Sequence, residues 1–329
     1  MLAVQVRQPG TADQHTVEEV PGLAPAPGQV LIDVKAATVN YPDLLVISGR
    51  YQSMPTLPFA PGVDAAGIVR EVGSGVQRVQ PGDRVLIHVD SGTYATEAVA
   101  REDQCLPLPA DMGFVDATAL GLAAQTAWFA LLERGGFEPG DVVLVNGASG
   151  AVGQAAVQIA SALGAIAVAA ATSVDKARDL LQGCTCGFVD LGAQDLRNSL
   201  RAQLLEATGG RAADVVVDTL GGDAFDASLR AMAWCGRIVT VGYASGRVPE
   251  IKAGHLLVKN IAATGLQWTD YRDRQPQRVA RAHDGLAALW QRGALRPRIM
   301  QTLPLRAFAE AHRLIASREA TGRLVLTME

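Results

Sequence analysis

Cysteine is scarce in this chain, with four among 329 residues. Cys105, Cys184, Cys186 and Cys235 are too few and too scattered for a disulfide framework or a structural zinc lobe. Cys184 and Cys186 also lack the Cys-x-x-Cys spacing of a redox motif. Positive charge is not in excess. The formal net charge is −4, which leaves no footprint for nucleic acid or an anionic membrane surface. No apolar run reaches the roughly 18 residues that span a bilayer, and Ala165–Ala171 is only strand-sized. The start, Met1-Leu-Ala-Val-Gln-Val, lacks the basic-then-apolar form of a signal peptide, so a cytoplasmic location is expected. The five histidines form no constellation: His88 follows Val85-Leu-Ile at a strand end, and His255 and His283 fall in polar helical contexts.

What is present is hydrophobic residue, 49% of a length that suits about two domains, enough for two cores. The most informative stretch runs from Val142 to Gly164. Val142–Val145 reads as a buried strand, and Val152, Ala156, Ile159, Ala160 and Leu163 recur at helical spacing. Between them lies Ala148-x-Gly150-x-x-Gly153, a dinucleotide fingerprint with alanine in its first position. Small residues let the backbone approach a pyrophosphate, and free N–H groups at the helix start meet its charge. The other reading is an ordinary glycine-rich turn. The strand before and the helix after supply the context that nucleotide binding requires.

The first hundred or so residues look β-rich, with strands at Val30–Ala36, Gly67–Val72 and Arg84–His88. From about residue 119, helical patterns alternate with short β-branched runs at Val142–Val145, Ile166–Ala170, Phe188–Asp190, Val215–Asp218, Ile238–Val241 and Ile261–Thr264. That alternation predicts a parallel sheet wrapped by helices. A charged helix at about Arg278–Gly293 and an amphipathic one at about Ala307–Arg318 follow, and Gly322–Thr327 reads as a strand. A terminal strand needs a sheet to join. The economical arrangement inserts the nucleotide domain into a β domain that the C-terminal strand completes.

Several blocks in order resemble the medium-chain dehydrogenase/reductase superfamily, most closely its zinc-free quinone oxidoreductase branch, which includes zeta-crystallin. They are Val39-Asn-Tyr-Pro-Asp43, Ser48-Gly-Arg-Tyr51, Leu57–Val69, Val72-Gly-Ser-Gly-Val with Pro81-Gly-Asp-Arg-Val, and Gln125-Thr-Ala-Trp128. The fingerprint, Asp218-Thr-Leu-Gly-Gly222, Lys259-Asn-Ile-Ala and Ala320-Thr-Gly-Arg323 complete the set. The resemblance implies an α/β fold: a GroES-like β domain (1–120 and 267–329) and a Rossmann doubly wound parallel-sheet domain (121–266). It also implies a homodimer joined through the last Rossmann strand, about Ile261 to Gln267.

By the same resemblance, Asn40 and Val63 stand where zinc-dependent relatives carry metal ligands, and Leu122-Ala-Ala-Gln falls where a third is found. No metal is therefore expected, since a catalytic zinc needs about three protein ligands. Asp64 then has a structural hydrogen-bonding role. The second Rossmann strand ends at Ala171, where NAD-preferring proteins usually place an acid. Thr172, Ser173 and Lys176 follow and suit the 2′-phosphate of NADPH, although Ser173 also reads as a helix cap, Asp175 tempers the positive field, and Leu191 stands where many relatives carry a tyrosine.

The remaining cofactor candidates are Asn40, Thr126, Ser149, Gly150, Ala151, Val152, Thr219, Gly242, Tyr243 and Arg323. The catalytic candidates are Asn40, Tyr41, Asp43 and Tyr51. Asn40 suits a hydrogen bond to the nicotinamide region or a substrate carbonyl, or else a capped turn before Pro42; Asp43 fits loop ordering better than proton transfer. Tyr51 matches the proton donor of enoyl-thioester reductases, or else closes the site as a half-buried ring. The expected function is NADPH-dependent reduction of quinones or other electron-poor carbonyl compounds. The alternatives are a C=C reductase of enones or 2-enoyl thioesters and, from another class, a structural or RNA-contacting nucleotide-binding protein.

Overall fold

The computed structural model describes residues 1–317 and 319–328, apart from the side chain of residue 119. The chain divides into two compact units, Met1–Leu122 with the segment from Arg298 onward, and Ala123–Pro297.

The first unit is built on a seven-stranded sheet. Its order is Ile299–Pro304, Arg323–Thr327, Gln29–Val39, Asp64–Val72, Arg84–His88 and Cys105–Pro107, with Glu97–Arg101 also paired to Gln29–Val39. The long strand Gln29–Val39 serves three neighbours because it is bent. Register shifts at Leu31/Ile32 and Val34/Ala36 divide it. Gln29–Asp33 then pairs with Glu97–Arg101, and Ala36–Val39 with Arg323–Thr327. At the bend the backbones come so close that a Cβ on Gly67 would lie 2.2 Å from the Asp33 carbonyl oxygen.

The strand Arg323–Thr327 is antiparallel to Gln29–Val39, with Leu324 opposite Val39 and Leu326 opposite Ala37. Leu324, Val325 and Leu326 are completely buried or nearly so, and each such burial contributes about 1.5–3 kcal/mol. The C-terminal strand thus completes the first unit's sheet, and residues 123–297 lie between the two chain segments of that unit. The helix Phe308–Ala316 lays Phe308, Ala311 and Leu314 on this sheet's core. Its expected end at Arg318 lies outside the described residues.

The second unit holds six strands, all parallel. The order is Gly187–Asp190, Ile166–Ala171, Val142–Asn146, Ala213–Asp218, Met232–Thr240 and Ala262–Gly265. Numbered along the chain this is 3-2-1-4-5-6, the doubly wound dinucleotide-binding order. The central strand Val142–Asn146 is buried at every residue, as a parallel sheet covered on both faces requires. Hydrophobic residues on several strands, such as Leu144, Val168 and Val216, pack with Phe225 and Leu229 of the helix Gly222–Ala231.

Residues 267–297, expected with the first unit, belong to the second. Tyr271 packs on Phe129 with ring centroids 4.7 Å apart, and Arg278 pairs with Glu133 at 2.6 Å. Gly285 of the helix Pro276–Gln291 lies so near Trp128 that a Cβ would sit 2.3 Å from the indole ring. The buried stripe Val279, Ala282, His283, Leu286 and Leu289 was legible, but a stripe does not say which partner it faces. His283, read as polar and helical, is part of that stripe.

Candidate functional site

Apart from Thr126, the candidate cofactor residues of the second unit share one edge of its sheet. Ser149–Val152 follow the strand Val142–Asn146, Thr172 and Ser173 follow Ile166–Ala171, Thr219 follows Ala213–Asp218, and Gly242 and Tyr243 come just after Met232–Thr240. Every one lies beyond the carboxyl end of a parallel strand, where ligands bind in open α/β sheets.

The turn after the first strand owes its shape to two glycines with different tasks. Gly147 has φ +79°, and a Cβ there would meet the Thr219 hydroxyl at 2.4 Å. The N–H groups of Gly147 and Ala148 both donate to the Ala170 carbonyl at 3.0 Å, tying the turn to the second strand. Gly153 lies in the first turn of the helix Ala151–Ala162, where a Cβ would lie 2.2 Å from the Gly147 carbonyl oxygen. Gly150, the N-cap, is exposed and faces open space except for the Gly147 oxygen at 3.4 Å. First-turn N–H groups of a helix lack intrahelical partners and suit an anion. The fingerprint positions 148, 150 and 153 missed Gly147, whose positive φ has no signature beyond glycine itself.

A buried polar cluster braces this edge from beneath. The Asn146 amide donates to Asp218 at 2.8 Å and to Ser228 at 3.0 Å. The second Asp218 oxygen accepts from the Gly221 N–H at 2.9 Å, and the Thr219 hydroxyl donates to the Asn146 carbonyl at 2.9 Å. Burial raises the Asp218 carboxyl above its ordinary range against these hydrogen bonds. The Ala244 N–H donates to the Thr219 carbonyl, so the loops after the fourth and fifth strands are joined. A groove of about 810 Å³ continues from Tyr243 past Thr240, Leu266, Gln267 and Tyr271, with Asp270 on its wall. Sequence reasoning did not find it.

The second strand ends at Ala171, as expected, with no acid there. Ser173 caps the helix Val174–Leu180, accepting from the Lys176 N–H at 3.3 Å, so the cap reading holds for its oxygen. Asp175 is held by Arg178 at 3.1 Å on the exposed surface, and Leu191 is buried in the core.

In the first unit the strand end at Thr38 and the helix Tyr41–Ile47 bring together a second buried cluster. Asn40 is the helix N-cap, but the Asp43 carboxylate makes the cap, accepting from the Asn40 N–H at 2.8 Å. The Asn40 amide donates to Asp64 at 2.8 Å and to the Thr38 hydroxyl at 3.3 Å, and its oxygen accepts from Arg323 at 3.4 Å. Thr38 also donates to Asp64, whose other oxygen accepts from the Leu122 N–H at 2.9 Å. The Tyr94 hydroxyl donates to Asp43 at 2.8 Å. Burial, with a smaller push from Asp64, raises the Asp43 carboxyl to about 7. Burial also raises the Tyr94 phenol and lowers the Arg323 guanidinium.

Six of the sequence candidates therefore stand in distinct settings. Asn40 and Arg323 are bonded to each other, and Asp43 is buried beneath the Tyr41–Ile47 helix start. Tyr41 projects from that start, 54% exposed. Tyr51 packs half-buried against Val6, Val46, Ile47 and Phe59. Thr126 is buried on the helix Leu122–Trp128. Tyr94, Thr38 and His312 were not anticipated. The His312 ring stacks edge-on against Tyr94 at 5.7 Å, and burial depresses it to about 4. Val63 offers only its backbone carbonyl, which accepts from the Val89 N–H, and among the described residues no three His, Cys, Asp or Glu are grouped to hold a metal.

Comparison with known proteins fits this architecture. Residues 26–130 match the family described as alcohol dehydrogenase GroES-like domain, and residues 188–326 match the zinc-binding dehydrogenase family. Quinone oxidoreductase-like protein 2 of Bos taurus is 34% identical over 95% of this chain and 89% of its own length. Quinone oxidoreductase of Sus scrofa is 34% identical over 92% and 90%. The crystal structure of Escherichia coli quinone oxidoreductase complexed with NADPH superposes with a TM-score of 0.88 at 29% identity, covering 99% of this chain and 100% of that one. This chain is an oxidoreductase and belongs to the quinone oxidoreductase branch of the medium-chain dehydrogenase/reductase superfamily.

Proposed function

We infer that this protein is an NADPH-dependent reductase of quinones or similar electron-poor carbonyl compounds, working without a metal. The observation that carries the cofactor choice is the end of the second strand: Ala171 with no acid, then two exposed hydroxyls and Lys176 in the first turn of the next helix. The donor set fits a dinucleotide phosphate. Gly150 leaves room at the Ala151–Ala162 helix start, and Asp175 is drawn to Arg178. When bound, the reduced nicotinamide supplies a hydride, and the protein's task is to orient donor and acceptor. The acceptor class is supported by the relatives' names. A homodimer along the strand Ala262–Gly265 belongs to the same reading, since the outer edge of that strand has no partner strand among the described residues; sedimentation measures it.

Lys176→Ala should raise the KM for NADPH about tenfold or more and leave NADH nearly unchanged. A charge-assisted contact to a phosphate is typically worth about 1.5–3 kcal/mol. The Ser173 cap survives, because it engages the backbone N–H of residue 176 and not its side chain. Equal losses with both cofactors would assign Lys176 a structural role.

The acceptor is tested with NADPH consumption on quinones, enones, enoyl-CoAs and aldehydes, in chelator, for wild type and Tyr51→Phe. Quinone oxygens take protons from water, whereas carbon protonation needs a positioned acid contributing roughly 10²–10⁴-fold. The quinone reading expects Tyr51→Phe to change kcat for a small quinone by less than about tenfold. Strong enoyl-CoA turnover with feeble quinone turnover, lost in the mutant, would replace it with the C=C reductase reading.

A further inference from the structure

The helix Ala151–Ala162 buries every residue from Gly153 to Ala160, and two of these, Gln154 and Gln158, are polar. A buried carboxamide needs partners. Gln158 accepts from the Arg296 N–H at 2.7 Å and donates to the Arg296 carbonyl at 3.3 Å, which ties the helix to that segment. Gln154, only 4% exposed, instead turns back on its own helix start and donates to the Ser149 carbonyl at 2.9 Å. With Gly150 as N-cap, Ser149 is the residue before the cap and Gln154 the fourth of the helix. Side chains at those two positions commonly pack as a hydrophobic staple that fixes the angle at which the chain enters a helix. Here the fourth residue is an amide, and it grips the backbone itself. The reach is natural, because helical side chains lean toward the N-terminus. The Gln154 N–H also donates to the Gly150 carbonyl at 2.9 Å, so one residue holds both carbonyls that lead into the helix. The Gly150 N–H is taken by the Gly147 carbonyl at 2.9 Å. The N–H groups of Ser149, Ala151, Val152 and Gly153 have no hydrogen-bond partner among the described residues, and Gly150 and Ala151 are exposed.

We propose, given the dinucleotide reading, that Gln154 is a positioning residue for the cofactor's pyrophosphate, holding the Ser149 carbonyl so that the loop offers the anion donors and not an acceptor. A carbonyl oxygen carries partial negative charge, and turned toward a phosphate it repels the ligand that the neighbouring N–H groups attract. Gln154 acts through Ser149 and need not touch the cofactor. Without its amide the Ser149–Gly150 peptide samples other orientations, and only the fraction with the carbonyl withdrawn is ready to bind. The apparent dissociation constant rises in inverse proportion to that fraction. The pyrophosphate is common to NADPH and NADH, so Gln154 acts equally on both and leaves the choice between them to the residues after the second strand.

The test compares the full wild-type chain with Gln154→Leu, which keeps the bulk and helix propensity of the side chain but has no donor. One neutral hydrogen bond sets the scale, so the dissociation constants for NADPH and NADH, read from nicotinamide fluorescence, should both rise roughly threefold to tenfold. Adenosine 2′-phosphate, which has no pyrophosphate, should bind both proteins equally in calorimetry. In turnover the KM for NADPH should rise while kcat at saturation changes by less than about twofold. Gln154→Met, equally without a donor, should repeat the result, and both variants should melt within about 4 °C of the wild type. Unchanged NADPH affinity in a folded variant would overturn the proposal. So would an equal loss for adenosine 2′-phosphate, the mark of a generally loosened domain, or the collapse of both variants, which would make Gln154 a purely structural residue. A wild type that binds NADH and not NADPH removes the cofactor choice and leaves this proposal standing; one that binds neither removes both.

Discussion

Replacing Gly153 by valine should lower the stability of the second unit by about 3 kcal/mol, a fall in melting temperature of roughly 6–12 °C for a unit of this size. Glycine within a helix is ordinarily a weakness, and exchanging it for alanine would add about 0.5–1 kcal/mol of stability if space allowed. Here it does not. A Cβ would lie 2.2 Å from the Gly147 carbonyl oxygen, 2.7 Å from the Ala148 Cα and 2.8 Å from the Gly147 carbonyl carbon. All three are backbone atoms of the turn, so no side chain can swing aside. The helix must move off the strand, and its first-turn N–H groups move with it. Gly150→Ala is the matched control. Its methyl meets only ordinary contact in the protein, so melting should be nearly unchanged while NADPH affinity falls. A Gly153→Val protein that melts with the wild type would refute the close approach of helix and strand.

Asp43→Asn should gain stability relative to the wild type as pH rises, the gap widening by about 3 kcal/mol between about pH 5 and pH 8. In the unfolded chain this carboxyl titrates near 3.9; in the folded protein burial raises it to about 7. Between those values the folded state holds a proton that the unfolded state has lost. Stability from this group is full below the lower value and drains away as pH climbs through the higher one. Asparagine carries no such proton, yet its side-chain oxygen accepts from the Asn40 N–H and Tyr94 hydroxyl as the carboxylate does. His312, depressed to about 4, acts in the opposite sense on acidification. Both proteins carry it, so it cancels in the difference. Denaturant melts at several pH values measure the gap. A gap independent of pH would show that Arg323 keeps Asp43 ionised.

The parallel sheet was legible because each strand is a short β-branched run flanked by helical spacing, and Val142–Gly164 displays all three parts of a βαβ start at once. The strand Arg323–Thr327 was legible for a plainer reason: a terminal strand needs a sheet to join, and completing the β domain was the economical arrangement. Local patterns stop there. Tyr94 meets Asp43 across 51 residues of chain, and Arg323 meets Asn40 across 283. Neither pairing marks the sequence near either partner. The helix Pro276–Gln291 showed its buried face but not the neighbour that covers it, which is why residues 267–297 were expected in the other unit. Asn40 was singled out for a ligand. Its amide is bonded to Asp64, Thr38 and Arg323, so within the first unit it is held by the protein before it holds anything else.

The pairing of Arg323–Thr327 with Ala36–Val39 also sets an order of events during synthesis. A ribosome adds about 5–20 residues per second, so the 283 residues between Asn40 and Arg323 take roughly 15–55 seconds to emerge. Throughout that interval the nascent first unit presents the backbone of Ala36–Val39 as an unpaired sheet edge, a template on which another chain can add. The βαβ segments of the second unit emerge meanwhile and pair among themselves. The polypeptide therefore leaves the ribosome with its later-made domain ready to close before its earlier-made one, and until Arg323–Thr327 arrives the edge of the long strand stays unpaired.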